Sequence, residues 1–495
     1  MQKLKYNFSL RIYVELRLKR EEILSGNVIR IMFLLGWPMM LSSLLQTLYN
    51  LTDMFWLGRL PAEEAKIAVG AINFTWPVVF FFISFAGGLG RGGIPIISQY
   101  VGSNQREKAN HYTGQIFGVV LIIAIIMAVV GSTFSYPIFR AMGAKGEFLK
   151  TAAEYGSIIF LGLPFMFIVM GGGSVISAEG DTVTPLIISG TSVIINIILD
   201  PILIFGMGGL PKMGVLGAAT ATVMARIVAA LWLLYLLLKG RLRLKPKLKD
   251  FKPKWNSMKF ILRVGLPSSI SQSAMAFGFV IIQTILAHLP NPELAIATYG
   301  VANRIVNMMF VVVNGLASSV TIMLGQALGA DLIERAKKIA QTGIFFMFYL
   351  LLIASGIIYI FRRPIIAFFV PNNPDIIESA GIFLSIVLIG IPYFGIFRVI
   401  TSILTGSGHT MQSMIVSITR LWLLRIPLAA YLSFGVITIP LTQTVLHGLN
   451  FGAMGVWFAM AISNMVSAGI GGIFYLKGDW QRKIIKKERI SPEIS

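Results

Sequence analysis

The chain has 495 residues, 56% of them hydrophobic and 13% charged, with a mean hydropathy of +0.78. Soluble domains carry nearer a quarter charged residues, so the composition excludes a soluble globular protein and describes a polytopic membrane protein. The net charge of +21 does not mark a nucleic-acid binder, because the positive residues gather in three segments instead of covering a surface.

The first basic segment is the arm 1–27, with Lys3, Lys5, Arg11, Arg17, Lys19 and Arg20. It lacks an uninterrupted apolar run, so it does not read as a secretory signal peptide. It reads as a short interfacial helix leading to Ser25-Gly26-Asn27, a turn or cap before the first span. Twelve stretches near or above the ~20 residues needed to cross a bilayer follow. They are 28–59, 66–101, 107–134, 151–178, 183–206, 214–239, 258–288, 294–329, 335–361, 376–406, 410–435 and 451–477.

The first span contains WPMMLSSLLQTLYNLTDMFWLGR (37–59). On a helix, Ser42, Gln46, Tyr49, Asn50 and Asp53 step by three or four and form one polar stripe. A carboxylate at membrane depth costs about 2.5–3.5 kcal/mol, so this face looks into protein or a water-filled cavity. Gln46, Tyr49 and Asn50 are expected to line the cargo cleft. Pro38 removes a backbone hydrogen bond and is the expected kink.

In the fifth span Asn196 and Asp200 stand four apart on one helix face, and Pro201 frees a carbonyl upstream. The segment RLRLKPKLKDFKPKWN (241–256) is basic and proline-bearing, the natural linker between halves. The tail after Lys477 is the third basic segment. The positive-inside rule puts all three in the cytoplasm of an inner (plasma) membrane protein. The expected organisation is arm 1–27, N-terminal lobe 28–240, linker 241–257, C-terminal lobe 258–478 and tail 479–495.

The halves repeat. Gly36-Trp-Pro38 matches Gly265-Leu-Pro267, and Ala71 and Asn73 recur as Ala302 and Asn303. SQYVG (98–102) recurs as GQALG (325–329), Gly162-Leu-Pro164 as Gly390-Ile-Pro392, and AEGDT (178–182) as GSGHT (406–410). The shifts all lie close to 228. Six spans per half give repeats of equal orientation. The expected fold is therefore all-α: twelve transmembrane helices in two six-helix bundles, related by a pseudo-two-fold axis along the membrane normal. A cleft between them is where cargo would bind.

The polar residues break this symmetry. Asp53 shifts onto Ile282, Asn196 and Asp200 onto the region of Trp422 and Arg425, and Thr220 onto Ala461. Two carboxylates, an amide, a hydroxyl and a free carbonyl make a hard-oxygen site suited to Na⁺ or protons. Arg226, Arg304, Arg398, Arg420 and Arg425 also fall in or near spans, expected to snorkel or to pair inside the cleft.

No cysteine is present, and the four histidines lie far apart without a metal motif. Walker A, HExxH and GxSxG patterns are absent, so the chain reads as no enzyme, no ATPase and no holder of a cofactor. Work must come from an ion or substrate gradient.

LLQTLYNLTDMFWLGRL, AEGDT and LDPILIFG, within two six-span halves, resemble the multidrug and toxic compound extrusion (MATE) family, closest to its DinF-like prokaryotic branch. The resemblance covers about residues 25–478. It implies a V-shaped pair of bundles, a monomer, exporting cationic or amphipathic compounds in exchange for H⁺ or Na⁺. It also implies a cation site of Asp53, Asn196, Asp200 and Thr220 with Tyr155, and Gln46 in the cavity. Two departures stand out. GSVISAEGDT has Gly173 and Ser177 where the family often has Asn and Arg, and Met275 stands where other branches carry an acid. Coupling is thus expected through the first half. The alternative reading is a lipid-linked precursor flippase of the same superfamily.

Overall fold

A computed structural model describes residues 17–438 and 445–485. The expected helical arm and basic tail fall partly on Lys3, Lys5, Arg11 and residues 486–495, which lie outside the described residues. Within them, α1 (Arg20–Ser25) is followed by Gly26 and by Asn27, whose Oδ1 accepts from the Arg30 amide at 3.1 Å and caps the first long helix.

Among the described residues, twelve helices are long and apolar enough to cross a membrane. In the N-terminal half they are α2 (Val28–Leu57), α3 (Ala62–Gly102), α4 (Arg106–Thr133), α6 (Gly146–Ala178), α7 (Val183–Phe205) and α8 (Val215–Leu238). In the C-terminal half they are α9 (Trp255–Ala287), α10 (Pro292–Gly329), α11 (Ile333–Ile360), α13 (Pro374–Gly406), the composite Thr410–Ser433 and α16 (Ala453–Leu476). The composite helix runs as α14 (Thr410–Ile418), a π-helical stretch (Thr419–Arg425) and α15 (Ile426–Ser433).

The repeat extends to features with no obvious sequence signal. A short helix follows the third crossing of each half, α5 (Ser135–Ala141) and α12 (Arg362–Phe369), and each buries one apolar anchor, Phe139 and Ile366. Asn104 and Asp331 both adopt left-handed backbone just after α3 and α10, a conformation these side chains tolerate. One element breaks the pattern. After α15 an antiparallel hairpin, β1 (Val436–Thr438) with β2 (Val445–His447), replaces the short glycine loop found after α7. No strand is expected from the sequence here, because three-residue strands are too short to show a period of two.

The halves meet where α3 packs on α9 and α10, and where α2 packs on α10. At the end that carries the arm and linker, this seam is closed by pairs of equivalent residues. Gln99 Nε2 donates to the carbonyls of Gly406 and Ser407 at 3.2 and 3.1 Å, while Gln326 Nε2 donates to that of Ala178 at 3.0 Å. Glycine is required beside them. A Cβ on Gly102 would lie 2.0 Å from the Gln326 carbonyl oxygen, and one on Gly329 2.1 Å from that of Gln99. The reciprocity is what a pseudo-two-fold axis demands.

The same end holds the AEGDT motif. Gly180 turns the chain at φ +105°, as Gly408 does at +88° in the second repeat. Buried Glu179 pairs with Arg106, and Asp181 accepts from Thr184 Oγ1 at 2.6 Å and lies 3.0 Å from Arg17 Nε. Burial pushes the Glu179 carboxyl up, and the Arg106 charge pulls it back. The linker is pinned rather than loose: Gln115 Nε2 donates to the carbonyls of Asp250 and Lys252, both at 2.6 Å, and Gln115 Oε1 accepts from the Lys254 amide at 2.8 Å.

Candidate functional site

Two helices bring the acids together. α7 sets Asn196 and Asp200 one turn apart, both fully buried, with Asn196 Nδ2 donating to Asp200 Oδ1 at 2.9 Å. Pro201 follows Asp200 inside the helix, so the Ile197 carbonyl has no amide donor four residues on. From α2, half-buried Asp53 faces Asp200, Asn196 and Thr222. From α6, buried Tyr155 lies within electrostatic reach of both carboxylates. Among the described residues, Asp53 Oδ1, Asn196 Oδ1 and Asp200 Oδ2 are buried without a hydrogen-bond partner. Three unsatisfied oxygen acceptors in one place fit a proton or a small hard cation, since an unpaired buried acceptor is costly and oxygen donors suit such ions. Among the described residues no cluster of three His, Cys, Asp or Glu could hold a metal.

Thr220 is not among the residues gathered here. Its Oγ1 donates to the Leu216 carbonyl at 2.8 Å within its own helix. Thr222, two residues on and so about 200° around α8, is the hydroxyl that faces Asp53. Sequence alone does not choose between the two threonines, because both lie in ATAT and nothing there fixes the rotation of α8.

The stripe on α2 divides along its length. Tyr49, expected to line the cleft, is 2% exposed and its hydroxyl donates to the Thr222 carbonyl at 3.2 Å. The Arg226 guanidinium lies 4.8 Å from the Tyr49 ring centroid and donates to Gln46 Oε1 at 2.7 Å. Gln46 remains exposed. The side chain of Asn50 lies outside the described residues. Pro38 sits within an unbroken α2, its carbonyl accepting from Ser42 Oγ at 2.9 Å.

A separate cavity of about 350 Å³ opens between the halves. It is walled by Trp76, Phe80 and Phe81 of α3, Phe277 and Gln283 of α9 and Asn303 of α10. Trp76 and Phe80 stack at 5.8 Å, and Phe81 meets Phe277 at 5.3 Å. Its size suits a drug-like molecule, with aromatic walls and a few amides to orient it. Sequence reasoning misses these residues, although the run WPVVFFF was the available signal. Of the arginines, Arg304 is exposed, whereas Arg420 and Arg425 are buried and Arg398 half-buried.

The MatE family profile matches residues 38–202 and again 267–431, two segments offset by the repeat shift. Probable multidrug resistance protein YoeA of Bacillus subtilis (strain 168) is 28% identical over 93% of this chain and 96% of its own. The FAD transporter of Shewanella oneidensis is 27% identical over 84% and 90%. Two solved structures, MATE in complex with MaL6 and a MOP superfamily transporter from Pyrococcus furiosus, each align at TM-score 0.81 and 27% identity over 93% of this chain and 98% of theirs. With both halves matched, twelve spans and this architecture, the chain belongs to the MATE family of multi-pass membrane transporters.

Proposed function

We propose that this transporter exports small amphipathic molecules, cationic drugs among them, in exchange for H⁺ or Na⁺ bound in the N-terminal half. The observation that carries the reading is the convergence of unsatisfied Asp53, Asn196 and Asp200 oxygens beside Tyr155. An ion there neutralises a costly pair of buried charges, so its arrival and departure bias two arrangements of α2 and α7 against each other. Pro38, with no amide to hold the turn above it, is where α2 yields. Ion and cargo then compete through one two-state element, which is antiport. The aromatic cavity supplies the cargo site. The FAD transporter among the relatives widens the cargo class to aromatic anions, and the relatives' names favour export of small molecules over the precursor-flippase alternative.

On this reading the protein is a monomer in the cell membrane with its basic end in the cytoplasm. Proteoliposomes challenged separately with a Na⁺ jump and a pH jump test it. One of the two should drive uphill efflux of a dye such as ethidium, and Asp53→Asn should abolish that drive while the protein still folds. Uphill efflux by Asp53→Asn at the normal rate would place the ion site elsewhere.

A further inference from the structure

The C-terminal half buries positive charge with no negative charge to match it. Among the described residues its acids within spans stand near helix starts, Glu293, Glu334, Asp375 and Glu378, while α9, α14, the π stretch, α15 and α16 contain none. Arg420 and Arg425 are each 6% exposed. Asn464 Oδ1 accepts from both, at 3.2 Å from Arg420 Nη1 and 2.7 Å from Arg425 Nη2, and Ser463 Oγ accepts from Arg425 Nε at 2.9 Å. These acceptors are neutral, so the hydrogen bonds are made while the charge is not cancelled. Both arginines lie on the π-helical stretch, a geometry frequent at functional sites.

Arg420, whose guanidinium lies over the Phe397 and Phe394 rings at 4.7 and 5.3 Å, is separated from a cavity by one side chain. Arg420 Nε has no hydrogen-bond partner among the described residues, and its Nη2 meets Met275 Sδ at 3.9 Å. Met275 walls a space of about 70 Å³ together with Arg91 of α3, Arg398 of α13, and Ser271, Gln272 and Thr321. Arg398 donates from Nη2 to Asn314 Oδ1 at 3.0 Å, and its buried Nε is also unpartnered. Two guanidinium groups on one small cavity repel until an anion lies between them. Their forked donors, with hydroxyls around, match the oxygens of phosphate or carboxylate.

We propose that this cavity binds the phosphate or carboxylate head of an anionic amphipath. The space is well below the ~300–1,000 Å³ of pockets that enclose a drug-sized ligand, so the head alone enters. The body has a place: the aromatic cavity is walled by the same three helices, α3, α9 and α10. Along α3, Phe81 and Arg91 are separated by about 15 Å at ~1.5 Å per residue. The ligand is therefore an extended molecule with an aromatic or apolar body and an anionic group about that far away. Arg91 belongs to one half and Arg398 to the other, so the bound head also bridges the halves in the arrangement described here.

The inference rests on the export reading only in treating the cleft as a cargo path, and its test reads binding and not transport, so either can fail alone. Purified protein in phosphate-free buffer is titrated with 10-(1-naphthyl)decyl phosphate, 10-(1-naphthyl)decanol and 10-(1-naphthyl)decylamine, whose alkyl chains let the head and the ring reach the two cavities together. Wild type should bind the phosphate ester at least about tenfold more tightly than the alcohol, the scale of one charge-assisted contact. Arg91→Gln/Arg398→Gln should erase that preference and leave the melting temperature and the amine's affinity in place, whereas Arg398→Lys should keep most of it. Repeating the titration in nanodiscs identifies the source. Competition by phosphatidylglycerol but not phosphatidylcholine, with the acidic lipid co-purifying with wild type alone, assigns the site to a lipid headgroup. No competition assigns it to a free amphipath. Equal binding of ester and alcohol to wild type, or a preference that survives in the double variant, overturns the proposal.

Discussion

The two halves share a fold to within a short hairpin, yet their interiors carry opposite charge. The N-terminal half sets half-buried Asp53 against buried Asp200, with acceptors left over. The C-terminal half buries Arg420 and Arg425 and sets Arg398 beside them, with unpartnered donors. The depths differ too. Asp53 and Asp200 lie four and five residues from the ends of α2 and α7 away from the closed seam, whereas Arg398 lies eight residues from the seam end of α13. Duplication conserved what builds the scaffold, prolines, terminal glycines and the Gln99–Gln326 exchange, and left the lumen free to diverge. Symmetric positions therefore speak for structure, and asymmetric ones for chemistry.

The sharpest way to break this contrast is to neutralise one side. Asp53→Asn and Asp200→Asn should each reduce ion-driven efflux by more than ~100-fold, since each removes a charge that the ion must meet. Flux assays in proteoliposomes measure it. The matching control at the repeat-equivalent Ile282 must stay apolar. Ile282 is 2% exposed, so Ile282→Asn would bury an unsatisfied amide and destabilise the half, whereas Ile282→Leu should leave coupling intact. Next in size are the seam glycines. Gly102→Ala and Gly329→Ala each force a Cβ against a carbonyl oxygen and should open the seam by about 1–3 kcal/mol, to similar extents. The chain has no native cysteine, so a single Ser98→Cys, buried at the seam, reports opening by its maleimide labelling rate. Labelling that rises in one variant and not the other would show that the seam is not symmetric in energy.

The spans were legible because bilayer-length apolar runs leave little ambiguity, and every predicted boundary falls within five residues of its helix. The repeat was legible from Gly-x-Pro and GQALG-type anchors, because packing at a close helix crossing tolerates few substitutions. The acids were legible because charge is costly in lipid. What the sequence leaves open is rotation and depth. Thr220 and Thr222 differ only in which way α8 turns, and Tyr49 shares its stripe with Gln46 but lies one turn deeper in the packing against Arg226. Arg91 was missed because it lies in GGLGRGG, a stretch with no apolar contrast to flag it. The π stretch carries no local signal, since a π turn is one residue inserted into a helix whose composition stays the same.

Smaller substitutions sharpen the comparison inside the N-terminal half. Thr222→Val should weaken ion coupling by about tenfold, the worth of one hydrogen bond to a charged group, while Thr220→Val should change it by less than about twofold. Equal effects would mean that α8 rotates in the working cycle.

The smallest expected effect concerns Gln46. It is exposed, and its Oε1 accepts from Arg226 Nη2, while the same guanidinium keeps its place 4.8 Å from the Tyr49 ring centroid. Removing the amide by Gln46→Ala strips one hydrogen bond from a buried cation, so stability should fall by about 1–2 kcal/mol. The aromatic contact holds Arg226 near the acids, so ion-driven flux should change by only a few-fold. Tyr49→Leu is the informative partner. It removes the ring and the hydroxyl that donates to the Thr222 carbonyl, and thereby loosens both Arg226 and the helix that presents Thr222. The double-mutant cycle of the two, read as thermal stability and as flux, should show coupling above ~0.5 kcal/mol, because both side chains act on one guanidinium. Strict additivity would detach Arg226 from the cation site and leave the acids to work without a positive neighbour.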